Sequence, residues 1–189
     1  MVQFSSKCFK WFFAALAVLS AFACFCFAGE LIDPRDNHVY KTVKIGNKVW
    51  MAENLNYEQR ESFCFEGSNC NQFGRYYRWK DALNICPAGW HLPVKGELDA
   101  LLSAGPKALK NSNGFNLQQT GCFGGQDAIV YDADRSFLWS ATSVDECGGD
   151  AAEMECFYAY VLRNSHFGVS VVEEYFDADV FYSVRCVKD

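Results

Sequence analysis

An excess of positive charge is the first thing this sequence lacks: 17 Lys and Arg stand against 23 Asp and Glu, for a formal net charge of −6. That argues against DNA, RNA or an anionic bilayer surface as the partner. Beyond residue 28 there is no apolar run long enough to cross a bilayer. Low-complexity tracts, linkers and internal repeats are missing too, so one domain is the simplest account. Zinc-binding spacing is absent: Cys64 and Cys70 are separated by five residues, no C-x2-C pair occurs, and no second histidine lies near His91. Nor is there a Ser-His-Asp order, a phosphate-cradling glycine loop or a paired-carboxylate motif. No catalytic residue, metal or cofactor is therefore expected, and the chain reads as a non-enzyme.

What is present divides at residue 28. Lys7 and Lys10 form a short basic head, WFFAALAVLSAFACFCFA follows without a charge, and small residues close the run, the pattern of a secretory signal peptide. Cleavage after Ala23 or after Ala28 suits a signal peptidase; lipid modification of Cys24 is a third route, weakened by an alanine at position 21 where such signals normally carry a leucine-like residue. An uncleaved anchor ranks below cleaved export, because the run is at the short end of what spans a bilayer. Residues 29–189 are then an exported domain without a transmembrane segment, secreted or associated with the cell envelope (periplasm, outer-membrane surface or extracellular). Without Lys7 and Lys10 it carries 15 basic and 23 acidic side chains, a net of about −8. With 50% apolar and 16% aromatic residues in the whole chain, a sizeable core is available.

Export changes how the cysteines read. Cys64, Cys70, Cys86, Cys122, Cys147, Cys156 and Cys186 lie beyond Ala28, in a compartment where disulfides persist. Seven is odd, and seven choices of the odd one times 15 pairings leave about 105 complete schemes open.

DPRDN, residues 33–37, predicts a turn, followed by a strand with Val39, Val43 and Ile45 on one side. Gly46-Asn47 then predicts a type II′ hairpin turn into Val49-Trp50-Met51. Trp79, Ala82, Leu83 and Cys86 recur at helical spacing, placing Cys86 near the buried end of a helix that Pro87 stops. Glu97 to Ser103, with Leu98, Leu101 and Leu102 on one face, predicts a second helix ended by Gly105-Pro106. Strands are expected at 137–140 and at 156–162; a closing hairpin is expected from 169–176 and 180–187, with Tyr182, Val184 and Cys186 sharing one face.

Four blocks, DPRDNHVYKTVKIGNKVWMAENLNY, GRYYRWKDALNICPAGWHLP, FLWSATS and FYSVRCVKD, together resemble the Fibrobacter succinogenes major paralogous domain, over roughly residues 33–189. That family is similar in turn to the C-type lectin-like fold and to the sulfatase-modifying, formylglycine-generating domain. The resemblance implies an α+β domain: a looped antiparallel sheet with two flanking helices, stapled by disulfides. Lectin-like domains bond a cysteine at the end of the first helix to one in the last strand, which implies Cys86 with Cys186. The remaining pairs expected are Cys64 with Cys70 and Cys147 with Cys156, leaving Cys122 as a possible thiol, buried or bonded to a partner. In CPAGWHLP, residues 86–93, Cys86 then staples, Pro87 stops the helix, Gly89 permits a tight turn, and Trp90 and Leu92 enter the core with His91 alternating away.

Calcium-dependent sugar binding does not carry over, because the chain has neither a Glu-Pro-Asn or Gln-Pro-Asp triplet nor a Trp-Asn-Asp triplet. The copper site of formylglycine-generating relatives finds no matching motif either. The functional hint is an aromatic excess. Trp50, Trp79, Trp90 and Trp139 read as core, whereas the loop between Gly121 and Ser136 is the expected binding surface, with Tyr131, Phe137, Asp132 and Asp134 as candidate contacts. The expectation is a surface-associated module that recognises a polysaccharide or cell-surface protein without calcium, with a role in adhesion. The alternative is a structural or assembly component of the cell envelope; a redox or protein-modifying enzyme ranks third.

Overall fold

The computed structural model describes residues 27–64, 70–124, 129–131, 134–146, 156–177 and 180–189. The candidate signal peptide up to residue 26, with Cys24 and the cut after Ala23, lies outside them. Strand β1 (Phe27–Ile32) leads through a turn into β2 (Val39–Ile45). The turn closes on buried Asp33, whose carboxylate accepts hydrogen bonds from the Arg35 backbone N–H at 3.0 Å and from its guanidinium at 2.8 and 2.6 Å. Arg35 reaches on to donate to the Ile85 carbonyl at 2.7 Å, tying the first turn to the segment before Cys86.

The Gly46-Asn47 turn joins β2 to β3 (Lys48–Met51), with Ile45 opposite Lys48. Gly46 at φ +61° is what a type II′ turn requires of its first central residue. Val43 and Ile45 share the expected side of β2 and pack into one core cluster, but the opposite side is buried too and Val39 is not. Val39 is exposed and pairs with exposed Ile32, while the inward position goes to Tyr40, whose hydroxyl accepts a hydrogen bond from the Asn56 N–H at 2.9 Å. Val43 is buried as well, in a second cluster on the other side of the sheet.

β4 (Phe63–Cys64), the single turn α1 (Cys70–Phe73) and β5 (Arg75–Arg78) follow, then α2 (Trp79–Ala82). The helix is shorter than the spacing predicts. After the Leu83 N–H bonds the Trp79 carbonyl, the Asn84 and Ile85 N–H groups bond to carbonyls three residues back, those of Asp81 and Ala82. This tighter winding turns Ile85 inward, leaves Leu83 exposed and carries Cys86 beyond the helix. β6 (Trp90–His91) precedes α3 (Lys95–Leu102), which buries Leu98 and Leu101 and has Glu97 at its third position accepting the Val94 N–H at 3.1 Å. Gly105, at φ +80°, ends that segment as expected, but Pro106 then opens one further turn, α4 (Pro106–Leu109), which buries Leu109.

The second half is strand: β7 (Cys122–Gly124), β8 (Ile129–Tyr131), β9 (Ser136–Glu146), β10 (Cys156–Ser165), β11 (Gly168–Asp177), β12 (Val180–Ser183) and β13 (Val187–Lys188). One sheet runs β1-β2-β3-β13-β6; the other runs β11-β10-β9-β12-β5-β4, with β7 also against β12 and β8 against β7. The described chain is thus mostly β-sheet, with few and short helices. The expected closing hairpin of β11 and β12 does not form. β11 pairs with β10 across the tip His166-Phe167, while β12, with Phe181, Tyr182 and Ser183 buried, sits between β9 and β5. A strand buried on both faces belongs inside a sheet, and β11, with Ser170 and Glu173 exposed, takes the edge. Tyr182, Val184 and Cys186 do enter one core cluster, with Trp139 and Phe137 stacked around the Tyr182 ring at centroid distances of 4.4 and 4.7 Å. Trp50 and Trp139 are fully inside, and Trp79 and Trp90 pack half-buried against the core. Among the described residues no helix is long and apolar enough to cross a membrane.

At the corner formed by CPAGWHLP, Cys86 is bonded to Cys186 across a sequence separation of 100 residues. Pro87 is buried, Gly89 turns at φ +79°, and the Gly89 carbonyl accepts the N–H of the last residue, Asp189, at 3.1 Å. His91 lies between two carboxylates, with Nδ1 at 2.5 Å from Asp189 and Nε2 at 2.9 Å from Glu97, which also meets Lys48 at 2.8 Å.

Two predictions concern this corner. Replacing both Cys86 and Cys186 by Ser is expected to lower the unfolding free energy by up to about 4.7 kcal/mol, the chain-entropy value for a loop of about 100 residues. An unchanged urea midpoint would contradict the staple. The second prediction is a pH dependence. Burial disfavours the His91 imidazolium, but its hydrogen bonds to Asp189 and Glu97 outweigh that and raise its pKa above the ordinary 6.5. Burial likewise raises Glu97, but Lys48, His91 and the Val94 N–H outweigh it and bring the carboxyl below 4.5. A raised histidine stabilises the fold fully below 6.5 and loses this contribution as pH rises through the folded value; a lowered carboxylate contributes above 4.5 and loses it as pH falls through the folded value. The stability difference between the native protein and His91→Gln is therefore expected to be largest near pH 5.5 and to shrink by pH 9. A difference that is flat over that range would count against a stabilising role for the His91 contacts with Asp189 and Glu97.

Candidate functional site

The residues expected to bind are dispersed. Tyr131 ends β8, opposite Cys122 of β7. Asp132 lies outside the described residues. Asp134 is exposed, and its carbonyl accepts a hydrogen bond from the Gln119 side chain at 2.5 Å. Phe137 corrects the expectation: it is 3% exposed, its ring is stacked on Tyr182, and no face is left for a ligand. Alternation along β9 explains this, since Phe137 and Trp139 point into the same core cluster. The disulfides present among the described residues are Cys64–Cys70 and Cys86–Cys186. Cys147 lies outside the described residues, and with it the expected pair with Cys156. Cys122 is half-buried and packs against the core. Among the described residues no group of three His, Cys, Asp or Glu could hold a metal ion.

A concave site lies elsewhere, at a cleft of about 230 Å³ between three segments, 53–56, 70–74 and 116–118, with His38 and Val39 at one end. Its lining is dominated by neutral amides: Asn54, Asn56, Asn71, Gln72, Asn116 and Gln118. Such side chains offer both donors and acceptors without charge.

Local chemistry fixes the three segments. The Gly74 N–H donates to the Cys70 carbonyl at 2.8 Å, and the Arg75 N–H to the Leu55 carbonyl at 2.9 Å, which lays the second segment along the first. Gly74 stands at φ +75°, and a Cβ there would meet Asn54 Cβ at 2.6 Å and the Leu55 carbonyl at 2.8 Å, so only glycine permits this approach. The Cys64–Cys70 bond pins the far end of α1.

Beneath the cleft lies Arg185, 1% exposed. Its Nε donates to Asn54 Oδ1 at 2.8 Å, one terminal nitrogen to the Phe115 carbonyl, and the other to the Asn116 carbonyl at 2.6 Å. The guanidinium also lies over the Phe115 ring, 4.5 Å from its centroid. One buried cation thus binds the first wall to the third. Burial lowers its pKa to about 9, opposed by the charge of Glu53, so it remains protonated at neutral pH. Asn54 is held on its other side as well, its amide donating to the Phe73 carbonyl at 2.9 Å and to Ser183 Oγ at 3.3 Å.

The sequence reading missed both the cleft and Arg185. The available signals were a cation between the core residues Val184 and Cys186, and three short runs rich in Asn and Gln at 54–56, 71–72 and 116–119.

Arg185→Met is expected to cost about 2–4 kcal/mol, because it leaves Asn54 Oδ1 and two backbone carbonyls buried without their donor. Urea unfolding measures this, and a loss below about 1 kcal/mol would show that the three bonds do not hold the walls.

Residues 43–108 match the family model of the Fibrobacter succinogenes major domain, so this segment of the chain is similar to that family. The match takes in two walls of the cleft; the third wall and Arg185 lie beyond it. No curated protein and no solved structure matches the chain.

Proposed function

We propose that the chain is a member of the Fibrobacter succinogenes major domain family and an exported, non-catalytic binding domain. In this reading it works at the cell envelope or outside the cell, on a framework of the C-type lectin-like kind, and recognises a glycan without calcium. The observation that carries this reading is the amide-lined cleft braced by Arg185. Sugar hydroxyls both donate and accept hydrogen bonds, and fixed neutral amides complement them in both roles. A site held in shape before binding loses little conformational entropy when it is filled. The basic head and uncharged run at residues 7–28, followed by disulfides at Cys64–Cys70 and Cys86–Cys186, support export.

The test is retention of the protein, purified after export, on immobilised plant and bacterial polysaccharides with and without a calcium chelator. Saturable retention that survives the chelator is expected on at least one polysaccharide. Absence of retention on all of them would overturn the glycan reading in favour of an envelope component that binds other proteins.

A further inference from the structure

The two disulfides are placed very differently. Cys86–Cys186 closes a separation of 100 residues, with Cys186 fully buried and Cys86 packed against the core. Cys64–Cys70 closes a separation of 6, both cysteines are half-buried, and Cys70 lines the cleft, which gives an external thiol an approach. A short loop takes less entropy from the unfolded chain, so the fold depends less on this bond than on the other.

The two ends of the short bridge are unequally anchored. Cys64 belongs to β4, which pairs with β5, and the neighbouring Phe63 ring stacks on Phe123 at 4.2 Å and meets Phe181 edge-on at 4.9 Å. Cys70 opens α1, a single turn of four residues, none of them buried. One helical turn is unstable by itself, because its nucleus fixes several residues for a single hydrogen bond, here from the Gly74 N–H to the Cys70 carbonyl. The C-terminal end of α1 is tied down: the Phe73 carbonyl accepts the Asn54 amide at 2.9 Å, and the Arg75 N–H donates to the Leu55 carbonyl at 2.9 Å. At the N-terminal end the disulfide is the covalent tie, beside the longer hydrogen bond from the Asn56 amide to Asn71 Oδ1 at 3.3 Å. Asn71 and Gln72, both exposed, are the cleft-lining amides carried by this turn.

We propose that Cys64–Cys70 is a redox switch on the cleft: a dithiol reductant opens the bond, α1 swings out about Phe73-Gly74, and the second wall is lost until the bond re-forms. A thiolate of the reductant attacks one sulfur, making a mixed disulfide and releasing the other cysteine; the reductant's second thiol then displaces the first cysteine. Two electrons and two protons pass from the dithiol, which leaves as a disulfide, and Cys64 and Cys70 end as thiols. β4 stays in its sheet, and Cys86–Cys186 keeps the rest of the fold closed. The effect on ligand retention rests on the glycan-binding reading, whereas the movement of α1 does not.

The experiment treats the purified exported protein with increasing dithiothreitol, alkylates the thiols and locates them by mass spectrometry. Cys64 and Cys70 are expected to be labelled at a dithiothreitol concentration about tenfold below that needed for Cys86 and Cys186. In the selectively reduced protein, hydrogen exchange at the Gly74 amide is expected to quicken by about tenfold or more, with the Met51 and Leu55 amides, which bond to the carbonyls of Cys186 and Val184, unchanged. A Cys64→Ala/Cys70→Ala variant, which carries no alkyl group, should match it. Affinity for the polysaccharide that retains the oxidised protein should fall about tenfold on reduction and return on reoxidation. Reduction of Cys86–Cys186 first, or together with Cys64–Cys70, overturns the assignment of the labile bond. Unchanged exchange at Gly74 in both the reduced protein and the variant overturns the movement of α1. Faster exchange at Gly74 with neither form retained on any polysaccharide supports the switch and overturns the glycan reading alone.

Discussion

A buried arginine is costly unless its donors are met, and the architecture around Arg185, with no carboxylate against it among the described residues, meets them with backbone carbonyls and one amide. The residues on either side fix its direction. The Val184 carbonyl accepts the Leu55 N–H at 2.8 Å and the Cys186 carbonyl accepts the Met51 N–H at 3.0 Å, stitching 184–186 to the end of β3 and the first wall of the cleft. The Cys86–Cys186 bond anchors the same segment from the other side. A residue near the C-terminus therefore sets the spacing between walls contributed from residues 54 and 115–116.

This arrangement follows from where β12 and β13 lie. β12 fills the second sheet between β9 and β5, and β13 fills the first between β3 and β6. The link between them, residues 184–186, passes from one sheet to the other and lies in neither. Its side chains alternate in destination, Val184 and Cys186 into the core around Trp139, and Arg185 toward Phe115 and Asn116. The last strands thus close both sheets and deliver the cation to the floor of the cleft in one passage of chain.

Local chemistry made part of this legible in advance. The Gly46-Asn47 turn, the buried Leu98 and Leu101 face and the inward set Tyr182, Val184 and Cys186 follow from turn rules and periodicity. Pairing across distance was not legible. Neighbouring strands are the default partners, and β11 with β12 departs from that default because β12 is the more apolar and takes an interior place. The helix before Cys86 was overestimated because spacing alone does not reveal that its winding tightens at Asn84 and Ile85. The cleft escaped notice because amides follow no spacing rule comparable to that of metal ligands, and its three walls are dozens of residues apart in sequence. Phe137 shows the converse error: an aromatic residue beside a glycine-rich loop was read as surface, when strand alternation turns it inward.

The central claim is that the chain meets its ligand in the cleft above Arg185 rather than at the loop between Gly121 and Ser136. The most direct measurement is an NMR titration of the isotopically labelled protein with a neutral oligosaccharide, following the side-chain amide resonances of Asn and Gln together with the backbone. Shifts concentrated at residues 53–56, 71–74 and 116–118, with the Asn56 and Asn71 side chains among the largest, are the predicted result. Shifts centred on residues 121–136 with the amides of the cleft unmoved would contradict the account.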